Sequence, residues 1–170
     1  MCSWTNAAMM KHPQCEANMQ ERKIIYSICF IFLLFLFSCS ENNDENFSAS
    51  LSGANEMPAV TTSATGTATF THHGNDKSID YFLNVSNISG AFSAHIHQGA
   101  AGENGDIVAT LFNGPVTSGD FSGRLASGTL QAFSGMSFDQ LIASMKSGQV
   151  YVDVHTTQNQ QGEIRGQIGR

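Results

Sequence analysis

Three imidazoles stand where paired β-strands would aim them at one place. In AFSAHIH, residues 91 to 97, side chains alternate, so Phe92, Ala94 and Ile96 share one face while Ser93, His95 and His97 share the other. In QVYVDVHT, residues 149 to 156, Val150, Val152 and Val154 form the apolar face and leave Tyr151, Asp153 and His155 opposite. If the two strands are near neighbours, His95, His97 and His155 gather with the Asp153 carboxylate on the side away from the core. Imidazole is the usual ligand of Zn(II) and Cu(II), and i, i+2 spacing on a strand delivers two nitrogens to one ion. One reading is therefore a copper or zinc centre on His95, His97 and His155. The other is a hydrogen-bond network, in which His95 and His97 fix the turn GAAGENG and His155 meets the GEIRG segment.

Asp153, Glu163, Arg165 and Glu56 are the polar-face partners in either case. Glu56, two residues before Pro58, is expected to fix the first turn by hydrogen bonds or an ion pair with Arg165. His72 and His73, in HHGND, read as solvated turn residues, and Asp80 and Asp106 as polar-face strand residues. No G-x-S-x-G elbow, phosphate loop or dinucleotide fingerprint is present. Glu56, Asp153 and Glu163 have no spacing that argues for a glycosidase pair. No catalytic residue is assigned, and a non-enzymatic module is expected over an enzyme.

The elements that must position these groups are short. FSASLSG (47 to 53), GTATFTH (66 to 72), SIDYFLNV (78 to 85), AFSAHIH, DIVATLF (106 to 112), DFSGRLAS (120 to 127), QVYVDVHT and GEIRGQIG (162 to 169) alternate with period two. Gly, Asn, Asp and Ser fill the connections, which predicts about eight antiparallel strands in a sandwich or barrel. One stretch breaks the period: Phe138, Leu141, Ile142 and Met145 recur at i, i+3, i+4 and i+7. Ser137 with Gln140 forms a capping box and Gly148 a stop, predicting a helix that covers one open end of the β core.

The front of the chain has a different character. IIYSICFIFLLFLF, residues 24 to 37, follows Arg22 and Lys23 and runs into Ser38 and Cys39. It falls below the roughly 18 apolar residues of a membrane span and reads as a signal peptide over residues 19–38. Residues 1–18 fit no part of that pattern and read as an upstream extension, with Met19 as the start. LFSC resembles the lipobox of bacterial lipoproteins, which implies diacylglyceryl and palmitate-type acylation of Cys39. Residues 39–46 then form the lipidated cysteine and an acidic tether, since SENNDEN has nothing to bury. The expected location is the bacterial cell envelope, on the outer membrane or cell surface, with the membrane as one partner and an envelope protein or ligand as another.

All four cysteines lie within the first 39 residues, so the rest of the chain can form neither a disulfide nor a thiolate metal site. From Ser40 onward five basic residues face twelve acidic ones, a net charge of −7 with His neutral. A nucleic-acid partner is excluded by that balance and by the lack of any basic stripe.

Residues 47–169 resemble the CHRD domain, the repeat of the antagonist chordin that also occurs singly in microbial secreted proteins. The match lies in LSGANEMPAVTTSATGTATF, with LSG, E-x-P and G-x-A; in ISGAFSAHIHQGAAGENGDIVATLF, with its His-x-His; and in GQVYVDVHTTQNQQGEIRGQI. The resemblance implies an all-β, immunoglobulin-like sandwich or barrel and no particular activity. His-x-His with a distant third His also resembles the copper half of copper-zinc superoxide dismutase. That enzyme's bridging His, zinc-loop partners and disulfide have no counterpart here.

Overall fold

The computed structural model describes residues 43–74, 78–114, 120–130 and 135–170. The expected signal peptide, Cys39 and the start of the expected tether lie outside the described residues. The strands are β1 (Glu45–Ser52), β2 (Thr65–His73), β3 (Ser78–Ser89), β4 (Ala91–Gln98), β5 (Ile107–Asn113), β6 (Asp120–Leu130), β7 (Val150–Thr156) and β8 (Ile164–Gln167). A single α-helix among the described residues, α1 (Phe138–Ser147), precedes β7. Every strand expected from alternation is present, and all pair antiparallel in one sheet of order β5-β4-β7-β8-β1-β2-β3-β6, curled into a nearly closed barrel. β1 starts at Glu45, ahead of its first apolar residue, because Glu45 and Asn46 pair with His72 and Thr71.

Alternation fills the interior. Phe47, Ala49 and Leu51 of β1, Ala68 and Phe70 of β2, and Ile79, Leu83 and Val85 of β3 all turn inward and are buried. Each large apolar side chain so removed from water contributes roughly 1.5–3 kcal/mol. The seam between the edge strands β5 and β6 is bridged by Tyr81. Its hydroxyl donates to the Leu111 carbonyl of β5 at 2.7 Å. Tyr81 pairs with Gly128 of β6, where an added Cβ would come within 3.3 Å of the phenol. Missing that carbon, Gly128 leaves the ring room to cross the edge.

α1 carries both halves of the expected capping box: the Ser137 hydroxyl accepts from the Gln140 amide, and the Gln140 side chain accepts from the Ser137 amide. It closes at Gly148, φ 66°, and buries Leu141, Ile142 and Met145 in the barrel's apolar core.

β7 departs from simple alternation of exposure. Val150, Val152 and Val154 are fully buried on the core side, yet Tyr151 (3 %), Asp153 (2 %) and His155 (9 %) are also shielded. Loops close off the polar side: Gly105 N donates to the Tyr151 hydroxyl, Gln160 O accepts from His155, and Thr62 is tied to the end of β7 through Glu163, which accepts from both Thr62 and Thr156. The domain thus has an apolar interior and, across β7, a second interior made of polar groups.

Candidate metal centre

β4 and β7 are neighbours in the sheet, and their register sets His95 opposite Asp153, His97 opposite Tyr151, and Ser93 opposite His155. One donor atom from each of His95, His97, Asp153 and His155 falls within 4.8 Å of all the others. His95 Nδ1 is 3.0 Å from His155 Nε2. Asp153 Oδ1 is 3.1 Å from His155 Nε2 and 3.2 Å from His97 Nε2. A tetrahedral ion with bonds of about 2.0–2.1 Å separates its ligands by about 3.3 Å, so three of these spacings are already close to that value and the others are at most 4.8 Å.

The carbonyls around the rings decide which nitrogens carry protons. A backbone carbonyl can only accept, so His97 Nδ1–H donates to Gly105 O at 2.9 Å and His155 Nδ1–H donates to Gln160 O at 3.0 Å. In the neutral rings both Nε2 lone pairs would then face the Asp153 carboxylate, which is repulsive. Positive charge is required at this point, either as a second proton on the imidazoles or as a cation shared by them. His97 Nε2, though buried and close to Asp153, is misaligned for a hydrogen bond and has no other partner.

The electrostatics follow the same logic. Burial opposes charge on Asp153, but His155 and His97 outweigh it and hold the carboxyl at about 2. Burial also opposes the protonated forms of His97 and His155, and again the nearby Asp153 carboxylate wins and raises both. His95 is lowered, by burial and by the neighbouring His155 charge.

Surrounding residues clamp the loops that supply those carbonyls. Arg165 donates to Ala100 O (3.0 Å), Glu103 O (2.8 Å) and Asn104 Oδ1 (3.1 Å), and its guanidinium lies 3.3 Å over the Tyr151 ring. Tyr151 in turn stacks on His97, centroids 4.9 Å apart and 5° from parallel. Gly105 approaches so closely that a Cβ there would sit 1.7 Å from Gln98 O, so only glycine brings this carbonyl to His97. Glu163 accepts from Thr62 Oγ1 (2.7 Å) and Thr156 Oγ1 (2.6 Å), holding the segment after β1 against the end of β7.

Several sequence expectations change. Glu56 makes no ion pair with Arg165, whose donors go to loop carbonyls. The Glu56 carboxyl is buried against Gly162, its Oε1 meets no donor, and burial together with Asp153 raises it to about 7. His95 bonds His155 rather than the Gly-rich turn. Phe92 does not join the core: a register shift between Ala91 and Ser93 accompanies its turn toward His155, ring centroids 6.3 Å apart. His72 and His73 are not solvated turn residues but end β2, His72 against Glu45 (3.4 Å) and His73 between Asp44 (3.5 Å) and Asp80 (3.1 Å). Asp80 lies in β3 as expected and also accepts from Thr129, while Asp106 is exposed just before β5. The carbonyls of Gly105 and Gln160 were invisible to side-chain reasoning; the one hint was the glycine density of GAAGENG.

Comparison with known proteins bears on residues 47–168, which match the family model described as CHRD domain. No curated protein and no solved structure matches the chain.

Proposed function

We propose that this chain, which belongs to the CHRD domain family, holds one Zn(II) or Cu(II) ion on His95, His97, Asp153 and His155 and presents it outside a bacterial membrane, anchored by a lipid on Cys39. One observation carries the metal reading. Two imidazoles, each fixed through Nδ1 by a backbone carbonyl, turn their Nε2 atoms onto the same buried carboxylate oxygen. Outer hydrogen bonds of this kind orient metal-binding histidines and raise their basicity. Three imidazoles and a carboxylate, with neither thiolate nor thioether among them, suit Zn(II) or Cu(II) over Cu(I). What the ion supplies when bound is a Lewis-acidic, positively charged point; the chain's own part is to fix the donors and shield all but one side.

The envelope location rests on the apolar run ending in Ser38 and Cys39 and on the acidic tether that follows. Because the polar face of β7 is covered, an envelope partner would meet the covering loops and not the imidazoles.

Elemental analysis of the purified protein, after exposure to Zn(II) or Cu(II) and removal of excess, is expected to give one ion per chain and a raised melting temperature. His97→Ala and His155→Ala should each weaken binding by at least about 100-fold. Absence of stoichiometric metal, with no thermal shift, would overturn the proposal.

A further inference from the structure

The four donors are not held alike. Asp153 is almost fully buried, and His97 and His155 are each fixed by a carbonyl on the ring nitrogen that faces away from the centre. His95 is the one partly exposed member, and among the described residues its only hydrogen-bond contact is Nδ1 to His155. Its second nitrogen has no protein acceptor among the described residues.

The β4–β5 ladder is also irregular on both sides of this residue. On the β7 side, β4 keeps regular register from Ser93 to Gln98. On the β5 side, pairing shifts between Ala94 and His95 and again between Ile96 and His97, as β5 inserts Leu111 and then Val108. Such bulges loosen a ladder locally and re-aim side chains. Thr110, the β5 residue opposite His95, is exposed, so solvent reaches the centre from this side.

We infer that the centre is a fixed cup of His97, Asp153 and His155, closed toward solvent by a displaceable ligand, His95, and that a small anion can take the His95 position on the bound ion. This rests on the metal reading above and assigns it a ligand class. A dication with three imidazoles and one carboxylate keeps a net positive charge, which favours an anion over a neutral or cationic donor.

The test uses the whole protein loaded with one equivalent of Cu(II), azide as the anion, and electron paramagnetic resonance with absorption spectroscopy as the readout. Azide is expected to change the copper spectrum of the unsubstituted protein saturably. His95→Ala should still bind one Cu(II), weakened by about 10-fold against the at least about 100-fold expected for His97→Ala, and should bind azide at least about 10-fold more tightly. His95→Gln, which keeps a polar side chain of similar reach, should fall between. An unchanged spectrum with azide, or His95→Ala losing copper as completely as His97→Ala, would overturn the displaceable-ligand inference while leaving the metal site standing. Failure of the unsubstituted protein to bind Cu(II) or Zn(II) at all would remove both.

Discussion

Glu56 sits beside the centre as a buried carboxyl with an unpartnered oxygen, and its titration sets a pH response of the metal-free protein. Raised from an ordinary 4.5 to about 7, it binds its proton more tightly folded than unfolded. Its contribution is therefore present at low pH and lost as pH climbs from about 4.5 to about 7. His97 and His155, also raised, push the same way: their stabilisation is complete below the ordinary histidine value and fades above it. Asp153, held at about 2, works in the opposite sense and gives way only in strong acid. Thermal melts in chelator are thus expected to show falling stability from pH 5 to pH 8. Glu56→Gln should flatten part of that fall, gaining on the order of 2 kcal/mol at pH 8 and little at pH 5; a parallel fall in both proteins would refute this account. Much of this residue-level picture was legible beforehand. Period two alone put His95, His97, Asp153 and His155 on one side, because a strand leaves a side chain only two directions. Phe92 misled because a register shift defeats that rule, and Glu56 and Arg165 misled because loops have no period from which to read a partner.

At the scale of elements, the barrel depends on how its seam is joined. Tyr81 reaches over Gly128 to the Leu111 carbonyl, so one phenol links β3 to the opposite edge strand. Tyr81→Phe leaves that carbonyl without its donor and should cost about 1–2 kcal/mol in urea unfolding. Gly128→Val crowds the phenol and should cost about 1–3 kcal/mol; a neutral result for both would mean the seam carries no stability. The eight strands and the capped helix were readable from alternation, turn residues and the Ser137–Gln140 pair. The bulges at Leu111 and Val108 were not, since DIVATLF gives no sign of which residue the partner strand will skip. The covering of the polar face was equally hidden: segments 53–64 and 99–106 look like ordinary turns, and only the donors of Arg165 and the threonines around Glu163 reveal that they fold inward.

For the molecule as a whole, the proposed lipid anchor on Cys39 is the part most open to direct test. Labelled palmitate should enter the chain and be absent from Cys39→Ser, with the substituted protein released from the membrane fraction; label retained by Cys39→Ser would refute anchoring at this residue. The order of strands adds a further constraint. β8 comes last in sequence yet lies between β7 and β1, so without it β5-β4-β7 and β1-β2-β3-β6 are two half-sheets with raw edges. The same keystone carries Arg165, which pins the loop that orients His97. Were the chain exported as proposed, it would have no finished cradle until β8 had crossed the membrane, and any ion it took up would come from the far side.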